Sequence, residues 1–269
     1  MITKLDYNIS ELRPYINWLY FHYAWGISGK WQEQEKLRAE AEAMLDEMEG
    51  SYKTHAIFGL FDSNSDGDDL ILGTTRIPLL RQQHLASSPN KPNLCLSDFV
   101  RPLSSGIKDR AGAFATTVDE AMEHDFDDDP YKKMLAQTLA DRLAEATAEK
   151  MHEDVRKRYW GYAPDENLSP AQLFKEQYQG IRPAIGYPSL PDSSLNFVLS
   201  DLIGMDKIGI RLTETGAMKP HASVSGLMIS HPKSFYFNLG KIGKDQLNDY
   251  ARRRGMTTES IRRFLAANL

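Results

Sequence analysis

Between Glu33 and Glu49 the apolar residues Leu37, Ala41, Met44, Leu45 and Met48 fall three and four apart, which predicts a helix stopped by Gly50. Ala56–Phe61 is a short continuous apolar run and reads as a buried strand. The polar stretch Asp62–Asp69 then reads as a turn leading to a second strand over Leu70–Arg76, so a hairpin is expected. Residues 82–93 read as a loop, Leu94–Val100 as a strand ending at Pro102, and Gly112–Thr117 as another strand. Beyond Pro130 the chain runs to Tyr159 without Gly or Pro and is rich in Ala, Leu, Lys and Glu. That is the strongest helix signal, with Pro130 in the first turn and Asp125–Asp129 before it as capping and dipole partners. The last third predicts strands at Ala222–Ser230 and Ser234–Leu239, then helices near Asp245–Arg254 and Thr258–Ala267. This order predicts an α+β fold, with helices packed on a largely antiparallel sheet. The aromatic-rich segment 11–31 reads as a packing anchor, closed by a turn at Trp25–Lys30.

The length, 269 residues, corresponds to one large domain or two small ones at a prior of ~150 residues per domain. Hydrophobic residues at 41% and charged residues at 26% match a soluble globular chain rather than a disordered one. A formal net charge of −5 argues against a phosphate-backbone binder, so no nucleic-acid partner is expected. No apolar run approaches the length of a membrane span, and residues 1–10 do not form a signal peptide. Cys95, the one cysteine, cannot make an internal disulfide or a cysteine-rich metal site, and a cytoplasmic location with no membrane partner is expected.

Three segments invite a chemical reading. Asp62, Asn64, Asp66 and Gly67 resemble a calcium loop, but the trailing glutamate is missing and strands flank the turn, so no metal is expected. In the long helix Asp141, Glu145, Glu149 and His152 share one face beside an apolar stripe of Leu135, Leu139, Leu143 and Ala146. That face reads as solvated charge, with Glu145 at the border and able to reach a pocket. The segment Gly180-Ile-Arg-Pro-Ala-Ile-Gly-Tyr-Pro188 reads as a rigid loop. Its carbonyls suit an adenine edge and Arg182 suits a carboxylate, while a plain surface loop with a solvated arginine fits the same residues. No Gly-rich phosphate loop, nucleophile elbow or His-Glu-x-x-His zinc helix occurs, so no catalytic side chain is assigned.

Six stretches resemble, in order, the S-adenosylmethionine-binding activation domain of cobalamin-dependent methionine synthase. They are Cys95–Phe99, Ala140–Ala146, Tyr159–Tyr162, Gly180–Pro188, Ala222–Gly226 and Asp249–Arg253, and the resemblance extends from Tyr15 to Leu269. It implies a single C-shaped domain over residues 1–269, with the ligand on its concave side. It also implies an S-adenosylmethionine site formed by Asp98, Glu145, Arg182, Ala184, Gly186, Tyr187 and Tyr236. In that reading Arg182 takes the ligand carboxylate, and Asp98 and Glu145 face the ammonium and sulfonium. The backbone near Ala184 takes the adenine, and the two tyrosines form aromatic walls. Ser193 stands where members of the family commonly carry a histidine.

The resemblance implies a methyltransferase component. It presents S-adenosylmethionine so that cob(II)alamin, formed by occasional oxidation, is reduced and methylated again. No Asp-x-His-x-x-Gly corrinoid motif and no cysteine triad for zinc is present. The expectation is a free-standing reactivation subunit, its cobalamin supplied by a separate methionine synthase chain and its electron by a flavodoxin-like donor. Reactivation of another corrinoid methyltransferase, or a non-catalytic S-adenosylmethionine sensor, fits the same residues.

Overall fold

The computed structural model describes residues 1–83 and 92–269. Its strands are β1 (Ile2–Asn8), β2 (Lys53–Asp66), β3 (Asp69–Leu72), β4 (Thr75–Pro78), β5 (Asp109–Val118), β6 (Arg211–Leu212), β7 (Met218–Lys219) and β8 (Ser223–Met228). Its α-helices are α1 (Ile9–Leu12), α2 (Trp18–Ala24), α3 (Trp31–Met48), α4 (Pro130–Asp154), α5 (Pro170–Leu173), α6 (Leu195–Ile203), α7 (Lys244–Arg254) and α8 (Thr258–Phe264). All pairings in the main sheet are antiparallel, in the order β4-β3-β2-β5-β8. Strand β1 shares an edge of β2 with β3: it covers Lys53–Gly59, and β3 covers Ser63–Asp66. The fold is α+β as expected, the sheet curling into a half-barrel.

Alternation along the strands sends side chains to two faces. Ala56, Phe58, Phe114 and Met228 join the core under α1, α3 and α4, whereas Ile57, Ala113, Ala115 and Leu227 pack with Leu195, Leu199 and Ile203 of α6. A third cluster joins α7 and α8 through Leu247, Tyr250, Ile261 and Leu265.

Helix α3 buries all five of the residues that predicted it, and Gly50, at φ +82°, ends it. Helix α4 begins where Asp129 accepts hydrogen bonds from the amides of Tyr131 and Lys132, a cap worth about 1 kcal/mol. After Asp154 the ladder widens into a π-helical turn, Val155–Tyr159. In the aromatic segment Phe21 is fully buried and Trp18 and Trp25 pack beside it, but Tyr20, Tyr23 and Trp31 are exposed.

Several expectations are corrected. Strand β2 continues to Asp66, so the hairpin turn shrinks to Gly67-Asp68, and Ser65 is held by its hydroxyl on the Val100 carbonyl, 2.8 Å away. The single strand expected at Leu70–Arg76 is broken at Gly73, whose positive φ turns the chain into β4. Leu94–Val100 contains a 3₁₀ turn at Leu96–Phe99 in place of a strand, because the Asp98 carboxylate accepts the Cys95 amide and closes the turn. Ser234–Leu239 joins no strand ladder. It is held by other loops, through the Leu239 amide on Pro188 and the Gln82 side chain on the Asn238 carbonyl. The expected loop at 82–93 lies, for residues 84–91, outside the described residues. No helix among the described residues is long and apolar enough to cross a membrane.

Candidate functional site

A cavity of about 610 Å³ opens between α4, the Gly180–Pro188 loop and the Tyr236–Asn238 segment. Small-molecule sites span about 300–1,000 Å³. Helix α4 contributes Arg142, Glu145, Ala148 and Glu149, the sheet contributes Phe114 and Val224, and Tyr15, Asn17 and Tyr20 close the remaining side.

The Gly180–Pro188 loop is rigid for a reason different from the one its prolines suggested. It lies along the edge of β8, where Ile181 and Ile229 exchange both amide hydrogen bonds at 2.8 and 2.9 Å. The Leu227 amide donates to Pro183 and the Ile185 amide to Ser225. The carbonyls of Ile181 and Pro183 are therefore occupied by the sheet, which corrects the expectation of a run of free ones. Glycine is required at 226, because a Cβ there would lie 2.2 Å from the Pro183 carbonyl oxygen.

This pinning sends Arg182 across the cavity toward α4, where its guanidinium meets the Glu149 carboxylate at 2.5 Å. Desolvation works against the Arg182 charge, but Glu149 together with Tyr178, Tyr236 and Glu145 more than offsets it and keeps the group protonated. Arg182 Nε and Glu149 Oε1 are buried without a hydrogen-bond partner, as is Arg142 Nε. Unmet buried polar atoms are costly and rare, and these three belong to residues of one cavity. The Tyr187 hydroxyl donates to Glu145 at 2.6 Å, and burial together with that carboxylate holds its proton on. The Tyr236 hydroxyl accepts the Arg182 amide at 2.9 Å and lies 3.2 Å from the Tyr178 hydroxyl.

Of the residues expected at a site, Glu145, Arg182, Ala184, Tyr187 and Tyr236 line this cavity. Gly186 shapes the loop behind it, at φ +88°, with its amide on Leu190. Asp98 is not among the lining residues. Its carboxylate takes both terminal nitrogens of Arg81 at 2.7 Å and the Cys95 amide, so it braces a surface turn.

The solvated face expected on α4 is also corrected: Glu149 and His152 are buried, because the Gly180–Pro188 loop and Tyr178 cover that side of the helix. Glu149 carried a signal that was misread, lying one turn beyond Glu145 on the same face. Asn17, Arg142, Glu176 and Tyr178 had none. Glu176 is the one non-glycine residue among those described with a positive φ, +55°, and burial raises its carboxyl above the ordinary range.

Three carboxylates, Glu145, Glu149 and Glu176, face two guanidiniums, Arg142 and Arg182, leaving the wall one net negative charge. The wall therefore suits a ligand carrying both a carboxylate and an excess of positive charge.

The sequence model for the activation domain of vitamin B12-dependent methionine synthase matches residues 8–255. The chain belongs to this family. Its fold is also that of a solved structure, the MetH reactivation domain bound to AdoHcy, with a TM-score of 0.94 and 40% sequence identity. That match covers 100% of this chain and 90% of the other.

Beneath the cavity of this activation domain, burial and the charges of Arg156 and Arg182 push the His152 pKa well below its ordinary 6.5. Its Nδ1 accepts from Arg156 at 2.8 Å, which requires the neutral ring. The unfolded chain takes up a proton near pH 6.5 that the folded state refuses. The stability held by neutral His152 is thus complete above pH 6.5 and falls on acidification, by roughly 1 kcal/mol per unit. Urea unfolding at pH 6.5 and 5.5 should show a larger loss in the wild type than in His152→Gln, whose amide oxygen can still accept from Arg156. Equal losses would refute the assignment.

Proposed function

We propose that this chain is a single-domain, free-standing reactivation subunit. It binds S-adenosylmethionine in the cavity beneath the Arg182 loop and presents it for reductive remethylation of cobalamin on a separate methionine synthase chain. The observation that carries the reading is the buried Arg182–Glu149 pair with its unmet hydrogen-bonding atoms, set in the wall of a ligand-sized cavity.

Arg182 would turn its guanidinium to the ligand carboxylate, with Glu145 and Glu149 facing the ammonium and sulfonium. Tyr187 and Tyr236 would flank the ligand as aromatic walls, and the turn through Ala184 and Gly186 would border the adenine. When bound, S-adenosylmethionine supplies the methyl group, and its departure from sulfur leaves a neutral thioether that needs no general acid. The work of this chain is therefore to orient the ligand and keep water from it. The electron would come from a flavodoxin-like donor and the cobalamin from the partner.

Calorimetry with S-adenosylmethionine and S-adenosylhomocysteine tests the ligand assignment. The extra positive charge of the sulfonium should favour S-adenosylmethionine by about fivefold or more, on the order of 1 kcal/mol for a unit charge near a partly screened wall. Equal affinities would rule out the charge reading of the wall, and failure to bind either would rule out the site.

A further inference from the structure

We propose that Arg156 is a positioning residue for the ligand wall, a buried cation that fixes Tyr178 and, through it, Tyr236 and Arg182. The inference rests on the ligand reading of the cavity given above. Arg156 is the largest fully buried side chain among the described residues and does not line the cavity. Its guanidinium is held on every side: Nε and Nη2 donate to Glu166 at 2.9 and 2.6 Å, and Nη1 donates to His152 at 2.8 Å. The charge lies 4.3 Å from the centre of the Tyr178 ring, and the His152 ring meets Tyr178 edge-on at 5.1 Å. A cation over an aromatic face, shielded from water, fixes the ring's position and tilt.

Tyr178 is the wall residue that carries this order forward. Its ring lines the cavity, its hydroxyl lies 3.2 Å from that of Tyr236, and the Tyr236 hydroxyl accepts the Arg182 amide. The connection therefore runs from a salt bridge outside the cavity to the backbone of the residue that faces the ligand carboxylate.

Two features support this positioning role. A buried ion pair is usually no more stabilising than apolar side chains of similar volume, so stability alone does not account for a charge kept here. Arg156 also sits on the π-helical turn that ends α4, and the wider turn sets a direction that a regular helix would not. The polar face Glu145, Glu149, His152 thus continues beneath the cavity floor as a support.

A double-mutant cycle tests this. Arg156→Met combined with Glu166→Met removes both charges together, so that neither is left buried alone, and is measured in wild-type and Tyr236→Phe backgrounds. S-adenosylmethionine affinity should fall about tenfold in the first background and by less than about twofold in the second, since the hydroxyl relay is already cut there. The same factor in both backgrounds, or no change in either, would overturn the proposal. Arg156→Lys keeps the charge but loses the fork to Glu166 and His152, and replaces the paired variant in the cycle if that variant loses its cooperative melt. Wild-type protein that does not bind S-adenosylmethionine would instead overturn the ligand reading on which the proposal rests.

Discussion

Arg182→Ala is expected to weaken S-adenosylmethionine binding by about 10- to 100-fold, because a charged hydrogen bond to a carboxylate contributes about 1.5–3 kcal/mol. The same change should lower folding stability. Glu149 loses its partner at 2.5 Å while its side chain stays 8% exposed, and an orphaned buried carboxylate costs about 3–5 kcal/mol. The two effects can be separated. Arg182→Met with Glu149→Met removes both charges and should recover most of the stability measured by urea unfolding, while leaving ligand binding weak. If the double replacement restores affinity along with stability, Arg182 acts through folding and the contact with the ligand carboxylate is wrong. If Arg182→Ala alone leaves affinity unchanged, the cavity does not take a carboxylate at this end.

Gly226→Ala should be a severely damaging single-methyl change near the site. The new Cβ would lie 2.2 Å from the Pro183 carbonyl oxygen, 2.9 Å from the Ala184 Cα and 3.0 Å from the Phe114 ring. Two of these neighbours belong to the backbone of the Gly180–Pro188 loop, which cannot give way without breaking the Leu227–Pro183 and Ile185–Ser225 hydrogen bonds. Overpacking of this kind costs about 1–3 kcal/mol or more. Because the relief available is to lift the loop off β8, Arg182 moves with it, and affinity should fall with the melting temperature. Thermal melts and calorimetry on one preparation check both. A variant with lowered stability and unaltered affinity would show that the loop is not set by its seat on β8.

Helices were legible because their signals are local: α3 and α4 announce themselves by apolar spacing, the Asp129 cap and the Gly50 stop. Errors fell where a single side-chain contact or a distant partner overrides composition. Cys95–Phe99 has the composition of a strand, yet a carboxylate three residues from its start closes it into a turn. Ser234–Leu239 reads as a short strand, yet its partners are loops rather than a sheet edge.

The same division runs through the site. Arg182 was legible because an unusual Gly-Pro segment carries it, and Glu145 because it borders the apolar stripe of α4, whereas Ala184, Tyr187 and Tyr236 were implied by the resemblance. Glu149 was read as solvated because helical periodicity cannot tell which second element covers a polar face. Asp98 was placed at the site by resemblance alone, whereas the structure commits its carboxylate to Arg81 and the Cys95 amide. Among the residues that line the cavity, Glu176 and Glu149 supply further carboxylates, with Arg142 alongside.

The central claim is that this chain presents S-adenosylmethionine to a corrinoid it does not itself carry. Cob(II)alamin methionine synthase lacking its own activation domain, incubated with a reductant, methyl-labelled S-adenosylmethionine and this protein, tests it most directly. Label should appear on the corrinoid in the presence of the wild-type chain and be strongly reduced with Arg182→Met/Glu149→Met. A corrinoid that stays unlabelled with wild-type protein, although calorimetry shows S-adenosylmethionine bound, would contradict the reactivation role.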